Sequence, residues 1–185
     1  FKQVGVVESP YCIKYKKLLS LSEQQVVDCS QQGCNRGNPT YAWVYINEAG
    51  GIMEDKDYPY KGMKENCKFN QRASLRVRIV KDKQLASEKS MADEVALHGP
   101  IVIIIDVNGS FNRFNGTGIF YEEDCKGNGL HAVIVVGYGT ENGVDYWIIK
   151  NSWGTSWGNV GYARIRRNVN VCNLKQYAHK ADVKA

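Results

Sequence analysis

The sequence predicts an α+β chain, with helices first and strands second. Three observations carry that expectation. Capped helix signals crowd the first half, where Ser22, Pro39 and Gly50 punctuate apolar runs. Short β-branched runs fill the second half from Ile101 to Arg166. Of the 185 residues, 43% are hydrophobic, enough to fill one large domain or two small lobes. The character changes near residues 80–90, so the expected division is a helical lobe over 1–83 and a strand-rich, barrel-like lobe over 84–185.

Each element has a local reason. Val4 to Lys17 reads as a helix in spite of Pro10, which removes a hydrogen bond and clashes with the preceding turn at about 3 kcal/mol. A kink or a fresh start is expected there. Ser22 with Gln25 reads as a capping box and Leu21 with Val26 as a hydrophobic staple, opening a short second helix. Pro39 to Ala49 suits a third, with Pro39 in its first turn and Gly50-Gly51 stopping it. A fourth runs from a cap at Ser90, answered by Asp93, to His98 before Gly99-Pro100. Strands are expected at Ile101–Val107, His131–Gly139, Val144–Lys150 and Gly161–Arg166.

Composition narrows the function. No apolar run approaches the roughly 20 residues of a membrane span, and no signal peptide is visible, so a mature or trimmed form is expected. The net charge of +5 is modest. Its basic clusters at Lys14 to Lys17, Arg72 to Lys83 and Arg164 to Arg167 are interspersed with acids, and read as solvated faces without nucleic-acid motifs. Gly137-Tyr138-Gly139 lacks the third glycine of a dinucleotide loop. Histidines 98, 131 and 179 are scattered, so no metal and no cofactor is expected. Six cysteines without a Cys-x-x-Cys pair favour disulfides in an oxidising route. Asn108-Gly109-Ser110 and Asn115-Gly116-Thr117 are possible glycosylation sequons.

One pair of residues points to chemistry. His131 opens an apolar strand, and Thr140-Glu141-Asn142-Gly143 signals a hairpin into the next. With the turn centred near 141 or 142, antiparallel pairing sets residue 131 across from roughly 151, which is Asn151. An imidazole can take a thiol's proton, and a carboxamide oxygen on its other nitrogen fixes tautomer and orientation without adding charge. Asn151 lies inside Lys150-Asn151-Ser152-Trp153-Gly154-Thr155-Ser156-Trp157-Gly158. Yet no cysteine of the chain stands where the thiol belongs.

The matching runs are Leu21-Ser22-Glu23-Gln24 with Asp28-Cys29, Gly33-Cys34-Asn35, Tyr58-Pro59-Tyr60 and Gly99-Pro100. They continue through His131-Ala132-Val133, Gly137 to Gly139, Tyr146-Trp147, Lys150 to Gly158 and Gly161-Tyr162. On these residues the chain resembles the papain-family (cathepsin L-like) cysteine proteases over nearly its whole length. The resemblance implies a two-lobe fold with a cleft, a helical left lobe, and a β-barrel-like right lobe carrying His131 and Asn151. It implies Trp153 as a shield over that pair, with Trp157 beside it. It also implies disulfides Cys29–Cys67 and Cys125–Cys172, leaving Cys12 and Cys34 unpaired.

The substrate side is read from the same resemblance. Gly37 takes the position that pairs with a peptide main chain, and Arg36 replaces a glycine at the rim. Pro39, Ile104, Leu130, Ala132 and Tyr177 map to an apolar pocket for the side chain two residues before the scissile bond. Peptide or protein substrates and cystatin-like inhibitors or a propeptide are the implied partners, of a monomer in a secreted or lysosomal/vacuolar setting. Phe1 resembles the Phe of the family's Cys-Trp-Ala-Phe run, which places the nucleophile and the oxyanion-hole glutamine ahead of Phe1. Cys12 is a poor substitute. It lies roughly 20 Å along the helix at about 1.5 Å per residue, whereas attack needs about 3 Å. The chain as given is therefore expected to be inactive, the alternative being a non-catalytic relative that binds peptides or inhibitors, or serves as a decoy, toxin or storage protein.

Overall fold

The structure, a computed structural model, describes residues 4–34, 37–127 and 129–184. The backbone divides into two compact units, one up to Asp82 and again from Ala181, the other Lys83–Lys180.

Among its described residues the first unit holds α1 (Gly5–Tyr15), α2 (Glu23–Cys29) and α3 (Pro39–Ala49). Helix α1 continues through Pro10 and does not begin afresh there. It buries Val6 and Val7 before the proline, and its last turn is exposed. Ser22 caps α2 by accepting from the Gln25 N–H. The return half of the expected box is absent, because the Gln25 side chain is engaged elsewhere: it donates to Gly51 O and Tyr45 Oη and accepts from Met53 N–H. Helix α3 has the predicted bounds, with Asn38 as cap and Gly50 left-handed at φ 76°.

Between α3 and residue 77 the chain is mostly irregular, and side chains from α2 satisfy its backbone. Gln24 Oε1 accepts from Lys61 N–H and its Nε2 donates to Met63 O, both at 2.7 Å. Buried Asp28 accepts from Gln24, from Tyr58 Oη and from Glu65 N–H. Burial pushes the Asp28 carboxyl up, but these donors outweigh it and hold it below its ordinary value. Tyr58 is pushed up to about 12, first by burial and then by donating to Asp28. The Cys29–Cys67 disulfide closes the same region.

Among the described residues, seven strands form one sheet in the order β1-β7-β2-β4-β5-β6-β3. They are β1 (Arg78–Gln84), β2 (Ile101–Val107), β3 (Ile119–Phe120), β4 (Gly129–Glu141), β5 (Val144–Lys150), β6 (Tyr162–Arg166) and β7 (Ala178–Lys184). Strands β2 to β6 belong wholly to the second unit. Ile101, Ile103 and Ile105 of β2, Val133 and Val135 of β4, Trp147 and Ile149 of β5 and Ile165 of β6 alternate onto one buried cluster. Helix α4 (Glu88–His98) adds Met91 to it. Its cap is Ser87 rather than Ser90, which sits three residues on and completes a reciprocal box. The short α5 (Gly109–Asn112) contributes fully buried Phe111. Disulfide Cys125–Cys172 lies in this unit, and Cys12 and Cys34 are free thiols.

The β4–β5 hairpin fixes the site. Its turn is Asn142-Gly143, both at positive φ, with Glu141 paired to Val144. The register then shifts between Val135 and Gly137, where Val136 is the extra residue of a bulge.

Candidate active site

Past the bulge, Ile134 pairs with Lys150 and Val135 with Ile149, which puts Asn151 in line with residue 133, two positions from His131. The expected face-to-face register of 131 and 151 is thus corrected to a diagonal one. Residues two apart share a face of a strand and long side chains span the diagonal. The contact survives the correction.

Asn151 Oδ1 accepts from His131 Nε2 at 2.8 Å and from the Ser152 N–H at 2.7 Å. The Ser152 N–H can only donate, which identifies its acceptor as the oxygen, so in the neutral ring Nε2 carries the proton and Nδ1 keeps its lone pair. Asn151 itself is pinned by its N–H, which donates to Gly161 O at 2.9 Å. Its buried Nδ2 has no partner among the described residues, a cost of about 1–3 kcal/mol for a lost hydrogen bond in the interior. Burial holds the His131 imidazole below the ordinary value of 6.5, and the Asn151 bond pulls the other way.

Trp153 stacks on the imidazole with centroids 4.4 Å apart and planes 28° from parallel. It covers one ring face while remaining 37% exposed itself. Trp157, at 7% exposure, meets Trp153 edge-on at 5.6 Å and donates from Nε1 to Phe111 O at 3.1 Å. Phe111 was not among the residues expected from sequence. It touches Trp153 at 5.7 Å and Trp157 at 5.1 Å, so it supports the indole that supports the imidazole. No periodic pattern marks it, since α5 is four residues long.

The expected substrate pocket is only partly assembled within one unit. Ile104 pairs with Ala132 across β2–β4, and its N–H donates to Tyr177 O at 3.0 Å. Leu130, paired with Asp106, is 74% exposed. By strand alternation Leu130 and Ala132 lie on the face of β4 opposite His131. Pro39 is buried at the start of α3 and Gly37 is exposed, both in the first unit. Asn35, Arg36 and Phe1 lie outside the described residues. A cavity of about 660 Å³ in the first unit, lined by Cys29, Ser30, Tyr41, Val44, Tyr45 and Glu48 among others, contains none of the expected catalytic or substrate-binding residues.

A helical unit, a mixed sheet, and an imidazole hydrogen-bonded to a carboxamide beneath a tryptophan define a scaffold of the cysteine protease class. The chain belongs to the papain family: the model for papain family cysteine protease matches residues 1–181. It is 42% identical to cathepsin K of Mus musculus over 183 residues, which cover 96% of this chain and 56% of that protein. The solved structure of digestive procathepsin L2 proteinase from Tenebrio molitor larval midgut superposes with a TM-score of 0.89 at 36% identity, covering 98% of this chain and 59% of that one. Digestive procathepsin L 3 of the same midgut gives 0.86 at 38% identity, with 98% and 61% covered. The chain thus spans little more than half the length of the curated relatives it matches.

Proposed function

We propose that this chain supplies the base side of a thiol endopeptidase centre. His131 Nδ1 takes the proton of a cysteine thiol while Asn151 holds Nε2–H. The thiolate attacks the scissile carbonyl, the imidazolium returns the proton to the leaving amine, and water cleaves the thioester. Supporting this is one observation above all, the 2.8 Å bond that leaves Nδ1 as the ring's acceptor. Substrates are peptides or proteins with an apolar side chain two residues before the cut, for which the second unit offers Ile104, Leu130, Ala132 and Tyr177. Both cysteines of the second unit are disulfide-bonded, so the reacting thiol comes from outside that unit. The 185-residue polypeptide by itself does not hydrolyse peptides. Two disulfides support a secreted or lysosomal/vacuolar setting.

Intact mass and N-terminal sequencing of the native protein, followed by an irreversible thiol-directed peptide epoxide, test this. No turnover by the 185-residue polypeptide, and no label on Cys12 or Cys34, is expected. Peptide hydrolysis with a label on either would overturn its inactivity. A longer native chain labelled on a further cysteine, with turnover abolished in His131→Ala, supports the endopeptidase. A second possibility, a non-catalytic relative that binds peptides or cystatin-like inhibitors, is favoured by Pro10 inside α1. It gives saturable peptide binding and no turnover at any chain length.

A further inference from the structure

Two asparagine sequons lie seven residues apart in the second unit, and the fold treats them in opposite ways. Asn108 is the cap of α5. Its Oδ1 accepts from Phe111 N–H at 3.1 Å and its Nδ2 donates to Asp124 O at 3.2 Å, so both ends of this half-buried amide are held by the backbone. Phe111, which that cap anchors, sits under Trp153 and Trp157. Asn115 is exposed. Its Oδ1 accepts from the Thr117 N–H at 2.9 Å, a local turn that sets the side chain's direction, and no bond from its Nδ2 is found among the described residues. Gly116 between them is at φ +85°, and a Cβ there would meet Asn159 N at 2.3 Å. The backbone behind the sequon is therefore pressed against residues 158–159, and the preceding Phe114 O accepts from Gly158 N–H at 3.2 Å.

We propose that Asn115, and not Asn108, is the N-glycosylation site of this protein. In the step, Asn115 Nδ2 bonds to C1 of an oligosaccharide carried on a polyprenyl pyrophosphate. The C1–O bond to the carrier breaks, and the lipid pyrophosphate and the proton lost from Nδ2 are released. No oxidation is involved. At Asn115 the sugar leaves the existing Oδ1 bond intact and points to water. At Asn108 it would crowd the Nδ2–Asp124 contact and loosen the cap that positions Phe111. The assignment rests on the proposal of a secretory route, to which the disulfides point independently.

Peptide mapping of the native protein after glycosidase treatment in ¹⁸O-water tests it, label being counted only above an enzyme-free ¹⁸O-water control because both asparagines precede glycine and deamidate spontaneously; above that control, each released glycan marks its asparagine as a labelled aspartate. The expected map shows label at Asn115, none at Asn108, and intact Cys29–Cys67 and Cys125–Cys172. In a eukaryotic secretory host, Asn115→Gln and Thr117→Ala each lose one glycan mass. Asn108→Gln keeps the glycan and lowers the melting temperature. Label at Asn108 overturns the assignment, as does an unmodified Asn115 in a chain whose disulfides are formed. An unmodified Asn115 together with reduced cysteines overturns it too, and takes the secretory route down with it.

Discussion

The two units solve the same problem with different chemistry. In the second, backbone N–H and C=O groups find one another along the β2–β4–β5–β6 ladder, and the alternate side chains are free to be apolar. In the first, the long irregular stretch after α3 has few ladder partners, and Gln24, Gln25 and Asp28 of one seven-residue helix supply them. Asn47 does the same for Ile79, taking its N–H at 2.8 Å and giving to its carbonyl at 2.9 Å. Beside the apolar core that each unit buries, the first therefore relies on buried amide and carboxylate geometry to satisfy its irregular backbone. The same chain teaches that a helix can serve as the missing strand of a loop.

The sharpest way to break the contrast is at Phe111. Phe111→Ala leaves a cavity beneath both tryptophans and is expected to cost about 4 kcal/mol in denaturant unfolding. In the first unit, Asp28→Leu orphans the Tyr58 O–H donor, the Glu65 N–H and a Gln24 N–H. Its expected cost is roughly 3 kcal/mol, each unpaired buried donor contributing about 1 kcal/mol or more. A volume change of one methylene in the sheet core, Ile103→Val, should cost only about 1 kcal/mol. If Asp28→Leu proves as mild as Ile103→Val, the polar account of the first unit fails.

Protonation separates the units further. His131 is held below 6.5 by burial, so the unfolded chain takes up its proton first. Its contribution to stability is complete above about pH 6.5 and is lost as pH falls through its lower folded value. Asp28 is held below its ordinary 3.8, so its contribution is present above that value and is lost only as pH falls through its still lower folded value. Melting curves should therefore show two acid limbs. His131→Gln removes the limb near neutrality, and Asp28→Asn removes the more acidic one. The smallest effect is at Trp153. Trp153→Ala uncovers one face of the imidazole, and the proton NMR titration of His131 should move up toward 6.5; a downward move contradicts burial as the dominant cause.

Legibility in the sequence follows the same divide. Strands β2 and β5 and helix α3 were readable to the residue, because apolar runs, a proline and a glycine mark them locally. Strand β7 was not, because Ala178-His179-Lys180-Ala181-Asp182-Val183-Lys184 carries charges that only tertiary partners excuse. Lys180 is buried against Glu94 of α4, a carboxylate that also meets His98 Nδ1 at 2.6 Å. Strand β1 hid in the same way among basic residues. The His131–Asn151 pair was legible only in part: the turn brings the two strand ends near each other, but the bulge at Val136, which no local signal marks, sets the register that joins them. Phe111 was not, because Trp157 Nε1 recruits it across 46 positions.

Val136 adds a single residue to one side of the hairpin, and its influence reaches beyond its own contacts. Side-chain direction flips with every step along a strand. Pairing Val136 straight with Ile149, so that the ladder ran on without a bulge, would leave Asn142-Gly143 to turn as before while shifting the far end of β4 by one residue against β5. Leucine or alanine would then face Asn151, and the imidazole would face away. Whether this strand end offers a base or a hydrocarbon is thus decided by a count of peptide units, five positions from the ring.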